Sequence, residues 1–233
     1  MNFYKIAECV VEYEPIYPLL KNQMEAYRIA EQQPDIKLSI TKEFCDIKQQ
    51  ENPHLTLEQC EYIFAGSEFY RKLIKLGGFM LHSSAIVVNN KAYLFSADSG
   101  TGKSTHTKLW QKCFGDEAII INDDKPAIRI ENGKCYAYGT PFSGKSDENL
   151  NLKVPLQAIC LLERGKENSI DLIPVKKAIP LILKQTILPK NQDTINHFFD
   201  MLDIVLTKTP IYQMKCNISK EAALMAYDKM KGE

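Results

Sequence analysis

Short apolar runs broken by two-residue polar turns set the pattern in the middle of the chain. Ser84-Ala85-Ile86-Val87-Val88 and Lys91-Ala92-Tyr93-Leu94-Phe95 flank Asn89-Asn90, a pair that tolerates the positive φ values of a tight hairpin turn. The spacing predicts an antiparallel hairpin with Val88 opposite Lys91 and Ser84 opposite Phe95, which carries His82 to a position opposite Ala97. A second hairpin is predicted where Ala127-Ile128-Arg129-Ile130-Glu131 and Lys134-Cys135-Tyr136-Ala137-Tyr138 flank Asn132-Gly133, a strong turn signal. Counted outward, Lys125 then faces Thr140, and Gly139-Thr140-Pro141-Phe142-Ser143-Gly144-Lys145 runs beside Asp123 and Asp124. Those aspartates follow Ala118-Ile119-Ile120-Ile121-Asn122, which reads as a buried strand.

On either side of the hairpins the pattern is looser. The start predicts a strand-like opening over Lys5 to Tyr13, a helix around Lys21 to Gln33 and a short strand from Ile36 to Ile40. A helix is predicted from about Leu57 into Lys75, ended by Gly77-Gly78. Towards the C-terminus the expectation is a strand over Leu156 to Leu162, a turn at Gly165 to Asn168, and a strand over Ser169 to Val175. Helices at Ala178 to Ile187 and Thr194 to Leu206, a strand at Ile211 to Cys216 and a helix over Ser219 to Lys229, with Ser219 as its N-cap, complete it. The sum is an α/β chain of the mixed α+β kind: a mixed sheet with β-hairpins flanked by helices, without the regular alternation of a doubly wound fold. Residues 1–76 form an N-terminal α+β region with no recognisable chemistry, and residues 77–233 form the core that carries the motifs.

The candidate chemistry follows the first hairpin. Ala97-Asp98-Ser99-Gly100-Thr101-Gly102-Lys103-Ser104 lies between the apolar run ending in Phe95 and the helix-compatible stretch Thr105 to Lys112. Strand, glycine-rich loop and helix in that order make a phosphate site. Gly100 and Gly102 let backbone N–H groups turn inward around the anion, and the helix N-terminus favours negative charge. Lys103 reaches the outer phosphates and the Ser104 hydroxyl ligates Mg²⁺. The candidate nucleotide-binding set is Asp98, Ser99, Gly100, Thr101, Gly102, Lys103, Ser104 and Thr105, with Lys145 as a further cation. Ala97 stands where the pattern G-x-x-x-x-G-K-[ST] has its first glycine, and a Cβ there is costly if φ is positive. Carboxylates at a strand end near such a loop suit metal binding or proton abstraction, which makes Asp123 and Asp124 candidates.

Plainer readings stand beside these. Asp123-Asp124 also reads as a solvated turn, His82 as a sheet histidine bonded to a carbonyl, and Lys145 as a surface lysine. Thr140 and Ser143 suit either a phosphate or a loop cap. His106 reads as surface or nucleotide-adjacent without a catalytic role, and Trp110 as core or subunit contact more than an adenine cage.

Composition narrows the classes. The 233 residues are 45% hydrophobic, and 29 Lys and Arg balance 29 Asp and Glu, so no net field draws the chain to nucleic acid or an anionic membrane. The seven cysteines are scattered without a C-x-x-C pair, which predicts a reduced, cytoplasmic setting. The first residues lack the basic-then-apolar plan of a signal peptide, and no apolar run approaches the roughly 20 residues of a membrane helix.

Taken together, Leu81-His82-Ser83-Ser84, the Asp98 to Ser104 loop, Asn122-Asp123-Asp124-Lys125 and Gly139 to Lys145 resemble the HPr kinase/phosphorylase family and its smaller relatives. These belong to the kinases built like phosphoenolpyruvate carboxykinase. The resemblance spans about Met80 to Lys145, and the Glu-x-Arg-Gly signature of the HPr kinases proper is missing. It implies a phosphoenolpyruvate-carboxykinase-like P-loop core that uses ATP and Mg²⁺ and phosphorylates a hydroxyl, serine-type, on a protein, peptide or small metabolite. His82 then approaches the transferring phosphate or its metal. Of Asp123 and Asp124, one deprotonates the acceptor while the other joins Ser104 on the metal, Asp124 being the first candidate for the metal and Asp123 the second. A homo-oligomer is compatible with it. Two alternatives stay open: a nucleotide-binding regulatory or chaperone-like module without transfer, and, remotely, a carboxykinase, for which the chain shows no arginine constellation suited to a dicarboxylate.

Overall fold

The computed structural model describes residues 1–232, which form thirteen strands and seven α-helices. The chain opens with β1 (Asn2–Ile6) and β2 (Cys9–Tyr13), paired antiparallel from Asn2 opposite Tyr13 to Ile6 opposite Cys9. The expected single strand over Lys5 to Tyr13 is therefore a hairpin. Ala7 and Glu8 take φ of 48° and 62° at its turn, a conformation that neither residue type signals in sequence. Next, α1 (Pro18–Met24) and a single 3₁₀ turn at Glu25–Tyr27 replace the helix expected around Lys21 to Gln33. Pro18 starts the helix early, and β3 (Arg28–Ile29) leaves it to pair with β1. The brief β4 (Ile36–Lys37) lies parallel to β2 and completes a four-stranded sheet.

Two helices follow. The first, α2 (Lys42–Glu51), was not foreseen: its apolar positions are few, and its clearest mark is Thr41, whose hydroxyl accepts from Phe44 N as an N-cap. The second, α3 (Leu57–Leu73), matches expectation and starts in a reciprocal Thr56–Gln59 capping box. A 3₁₀ turn extends it to Leu76, where Gly77 at φ 82° closes it left-handed.

The second sheet has nine strands. In chain order they are β5 (Gly78–Met80), β6 (Ser83–Val88), β7 (Lys91–Ser96), β8 (Ile119–Asn122), β9 (Ala127–Glu131), β10 (Lys134–Tyr138), β11 (Lys153–Arg164), β12 (Ser169–Leu172) and β13 (Ile211–Cys216). Helix α4 (Lys103–Phe114) follows β7, α5 (Val175–Lys184) and α6 (Gln192–Lys208) lie between β12 and β13, and α7 (Lys220–Met230) ends the fold. Both predicted hairpins are present in their predicted registers, with Ser84 opposite Phe95 and Tyr138 opposite Ala127. The strand expected to run to Val175 stops at Leu172, because Pro174 caps the start of α5. Ser219 caps α7 as expected.

The sheet order is β5-β9-β10-β11-β7-β6-β8, and β13 pairs with the second half of β11 on the side that β10 leaves free. β7, β11 and β13 run parallel, and β8 shares their direction because both it and β7 are antiparallel to β6. One sheet edge therefore collects the carboxyl ends of four strands and the amino end of β6. The apolar clusters on the two faces hold this edge rigid, one under α5 and α6, the other under α4 and α7 around Trp110. A third cluster joins the N-terminal region to the core: Tyr62, Phe69 and Tyr70 of α3 pack round the fully buried Phe142, with ring centroids 5.6–5.9 Å apart. Each such buried side chain contributes about 1.5–3 kcal/mol.

Candidate phosphate site at the sheet edge

The glycine-rich loop leaves β7 at the middle of that edge and enters α4 at Lys103. Gly100 and Gly102 take φ of 78° and 122°, and a Cβ at either would meet nothing within 4 Å. The glycines serve the backbone conformation that an anion cradle requires, and no packing contact excludes a side chain at either position. Ala97 has no positive φ, so its Cβ costs nothing where the general pattern has glycine. Lys103 is 7% exposed, and its Nζ donates to Ala97 O at 3.0 Å across the loop. Burial pulls its ammonium below the usual lysine value, while Asp124, Asp123 and Asp98 oppose that shift. Ser104 is half-buried on the first turn of α4, and Thr105 and Ser99 are exposed.

Asn122, fully buried at the end of β8, builds the turn that follows it. Its Oδ1 accepts from Asp124 N and Lys125 N at 2.9 and 2.7 Å, and its Nδ2 donates to Thr140 O at 2.9 Å. The chain has thus left the strand, and alternation no longer separates the aspartates. Asp123, 8% exposed, accepts from Ser84 Oγ at 2.6 Å, and Ser84 Oγ also lies 2.9 Å from Thr107 Oγ1 on α4. This places Asp123 on the loop-helix side.

Asp124 faces the other way. Its Oδ1 lies 3.2 Å from His82 Nε2, and its Oδ2 is ion-paired with Lys125 and accepts from Tyr62 Oη at 3.4 Å. Burial would push this carboxyl up, but the His82 hydrogen bond and the Lys125 charge outweigh it and hold it at about 2. His82 Nδ1 lies 2.9 Å from Gln185 Oε1, and Gln185 Nε2 donates to Asp98 Oδ1 at 2.7 Å. A continuous polar chain, Asp98–Gln185–His82–Asp124, therefore runs from the loop to the second aspartate. His82 reaches the loop through Gln185, and its ring is held by side chains while its backbone N–H donates to Gln185 O at 2.6 Å.

The segment from Gly139 to Lys145 lies beside Asn122, Asp124 and Lys125, while Asp123 N donates to Glu148 O at 3.1 Å just beyond it. A Cβ on Gly139 would overlap Leu150 O and Ile121 O, and one on Gly144 would stand 2.9 Å from Asp124 Cβ. Thr140 and Ser143 are buried loop caps: Thr140 Oγ1 donates to Lys125 O at 2.9 Å, and Ser143 Oγ accepts from Asn149 Nδ2 at 3.0 Å. Lys145 is exposed and forms no ion pair among the described residues. His106 is not a surface residue. It is 3% exposed, accepts from Trp110 Nε1 at 3.2 Å, and burial pushes its ring down to about 4.

Four residues of the site were not read from sequence. Gln185 caps α5 and Arg164 ends β11, where its side chain donates to Gly100 O and to Thr101 O, the latter at 3.3 Å. Lys125 belongs to the Asn122 to Lys125 motif, with no role assigned to it there. Tyr62 comes from the N-terminal region and also accepts from Gly144 N at 2.8 Å. No local pattern marks Gln185, Arg164 or Tyr62, since each acts through a contact distant in sequence, whereas Lys125 pairs with its own neighbour Asp124.

No helix among the described residues is long and apolar enough to cross a membrane. The comparison with curated proteins found no match. Among solved structures, the chain is similar to the Hpr(Ser) kinase/phosphatase from Coxiella burnetii, at 11% identity and a TM-score of 0.36, over 66% of this chain and 99% of that one. A family model described as SynChlorMet cassette protein ScmC matches residues 44–225. With α3, the glycine-rich loop, both aspartates and β13 all inside the matched span, the chain belongs to the ScmC family.

Proposed function

We propose that this protein is an ATP- and Mg²⁺-dependent kinase that transfers the γ-phosphate to a serine-type hydroxyl of a protein, peptide or small metabolite. One observation carries the reading. A Gly-Lys-Ser loop opening α4, two carboxylates after β8 and a histidine before β6 converge on one sheet edge. A pure binding site has no need of the second and third parts.

The residues suit the cofactors. The positive-φ backbone at Gly100 and Gly102, with Lys103 opening α4 beside it, suits phosphates, and the described residues hold no cluster of three or more His, Cys, Asp or Glu able to bind a metal alone. Ser104 with one carboxylate suits Mg²⁺, which keeps several waters and takes its remaining oxygens from phosphates. When bound, Mg²⁺ neutralises charge on the phosphate oxygens.

Asp123, tied to α4 through Ser84 and Thr107, is the carboxylate on the Ser104 side and takes the metal role. Asp124 takes the acceptor role. Held ionised by His82 and Lys125, it orients the acceptor hydroxyl and receives its proton as the new O–P bond forms and the bond to the β–γ bridging oxygen breaks, releasing ADP. Lys103 neutralises the transferring group, for which it leaves Ala97 O. His82 aligns Asp124 and faces the transferring phosphate, and Lys145 supplies a mobile cation from the adjoining loop.

The test is transfer of labelled phosphate from Mg-ATP to serine peptides and small hydroxyl compounds, with Lys103→Ala alongside. Wild-type protein is expected to bind Mg-ATP and Lys103→Ala to lose it. Absence of wild-type binding at millimolar Mg-ATP overturns the proposal. Binding without transfer to any acceptor, unaltered in Asp124→Asn, supports a nucleotide-sensing module instead.

A further inference from the structure

The loop has a second neighbour that the proposed transfer leaves unused. On the side away from the aspartates, the loop and the first two turns of α4 face the carboxyl ends of β11 and β13 across a cavity of about 400 Å³, within the range of small-molecule sites. Leu109 and Leu162 line it with apolar surface, and Ile218 stands at its rim, 80% exposed. Gly100 to Gly102 form the wall it shares with the loop.

Its polar lining includes Thr105, His106, Glu163, Arg164 and Asn217, and Glu163 Oε1 accepts from Gln213 Nε2. Asn217 N donates to Asn168 Oδ1 and Asn217 Nδ2 to Lys166 O, both at 3.0 Å. That turns the amide so that Oδ1 is an acceptor without a partner among the described residues. Arg164, at the junction of cavity and loop, lays its guanidinium on Gly100 O and Thr101 O.

We infer that this cavity takes the nucleoside of the nucleotide whose phosphates occupy the loop, with the base between Leu109 and Ile218 and its exocyclic amino group on Asn217 Oδ1. This rests on the nucleotide reading above and adds where the base lies and what recognises it. The sheet order supplies the argument. With the loop on β7 at the centre and the aspartates on β8 to one side, the reacting end of a triphosphate points to β8 and its other end to β11 and β13. Ligands lie across the carboxyl ends of parallel strands. The other end of a nucleoside triphosphate is a ribose and a flat, weakly polar base, which suits a slot with aliphatic jaws, the Asn217 amide oxygen as an acceptor and the Glu163 carboxylate beside it. Covering Ile218 also removes an apolar side chain from water. Arg164 stands where the phosphate nearest the ribose must pass, and Trp110, fully buried behind His106, is left to the core.

Calorimetric titration of Mg-ATP, Mg-ITP and Mg-tripolyphosphate against wild type, Ile218→Ser, Asn217→Ala and Lys103→Ala tests it, with melting temperatures as a control for folding. Wild type is expected to bind ATP at least tenfold more tightly than tripolyphosphate. Ile218→Ser, at an exposed position, is expected to remove most of that margin without altering tripolyphosphate affinity. Asn217→Ala is expected to weaken ATP several-fold and to leave ITP, which lacks the amino group, unaltered. Equal wild-type affinities for ATP and tripolyphosphate, or an ATP margin untouched in both variants, overturn the base site while the loop reading stands. ITP bound as tightly as ATP overturns the amino contact. If neither ATP nor tripolyphosphate binds, or Lys103→Ala changes neither, the nucleotide reading fails and the base site falls with it.

Discussion

His82 Nε2 lies 3.2 Å from Asp124 Oδ1, so the residue that leads into β6 meets the carboxylate that follows β8. The contact exists because β6 and β8 are antiparallel neighbours, which puts the amino end of one beside the carboxyl end of the other.

Replacing Asp124 by Asn keeps the shape of that contact and removes its charge. Phosphoryl transfer is expected to fall by about 10²–10⁴-fold, the usual worth of a positioned base, in the rate constant kcat more than in KM for ATP. Steady-state kinetics beside calorimetric nucleotide binding separates the two, and an equal loss in both would place Asp124 in the binding of nucleotide instead.

Gln185 links His82 to Asp98, and Gln185→Leu removes its hydrogen bonds to the half-buried His82 ring and the exposed Asp98 carboxylate. A loss of about 0.5–1.5 kcal/mol in stability is expected, together with weaker Mg-ATP binding because Asp98 is freed from its place in the loop. Urea unfolding and calorimetry measure the two effects.

Phe142 precedes the segment that abuts Asp124 and fills the space between α3 and the core. Phe142→Ala is expected to cost about 3–5 kcal/mol and to lower the melting temperature. A conservative Phe142→Leu should recover most of it, since packing volume rather than chemistry is at stake.

The neutral ring of His106 gives a pH signature. Its folded value of about 4 lies below the ordinary value of about 6.5, so the unfolded chain takes up the proton first. The contribution is whole above about pH 6.5 and is lost as pH falls to about 4, a swing of about 3 kcal/mol. Unfolding measured across that window should show the loss in wild type and a flatter profile in His106→Gln, which keeps an acceptor for Trp110 Nε1.

Gly139 offers a backbone test. A Cβ there would overlap two carbonyl oxygens, of Leu150 and Ile121, so Gly139→Ala must move the strand end that carries Asn122. Lower thermal stability is expected, with a loss of any phosphotransfer larger than the stability loss alone explains.

What was legible in the chain was local. Asn89-Asn90 and Asn132-Gly133 determine their hairpins because few residue pairs tolerate consecutive positive φ, and the registers that follow carried His82 and Gly139 to Lys145 to their places. Where the same turn is made by Ala7 and Glu8, tertiary context overrides propensity, and the local pattern predicts one strand where the structure has a hairpin. The positive φ of Gly100 and Gly102 was legible for a similar reason, since it is a backbone conformation that glycine adopts at little cost.

The division of labour among the side chains was decided by the tertiary structure alone. Sequence placed Asp123 and Asp124 together, while the contacts of Ser84 and Thr107 with one, and of His82, Lys125 and Tyr62 with the other, set them apart. Those partners come from β6, α4 and α3, and their meeting depends on sheet order and on α3 packing round Phe142. Local periodicity encodes dihedrals and faces, which determined the loop and its flanking strands. Which faces meet is set by burial of the whole chain at once, and that gave Asp124 its partners and the loop its second cavity.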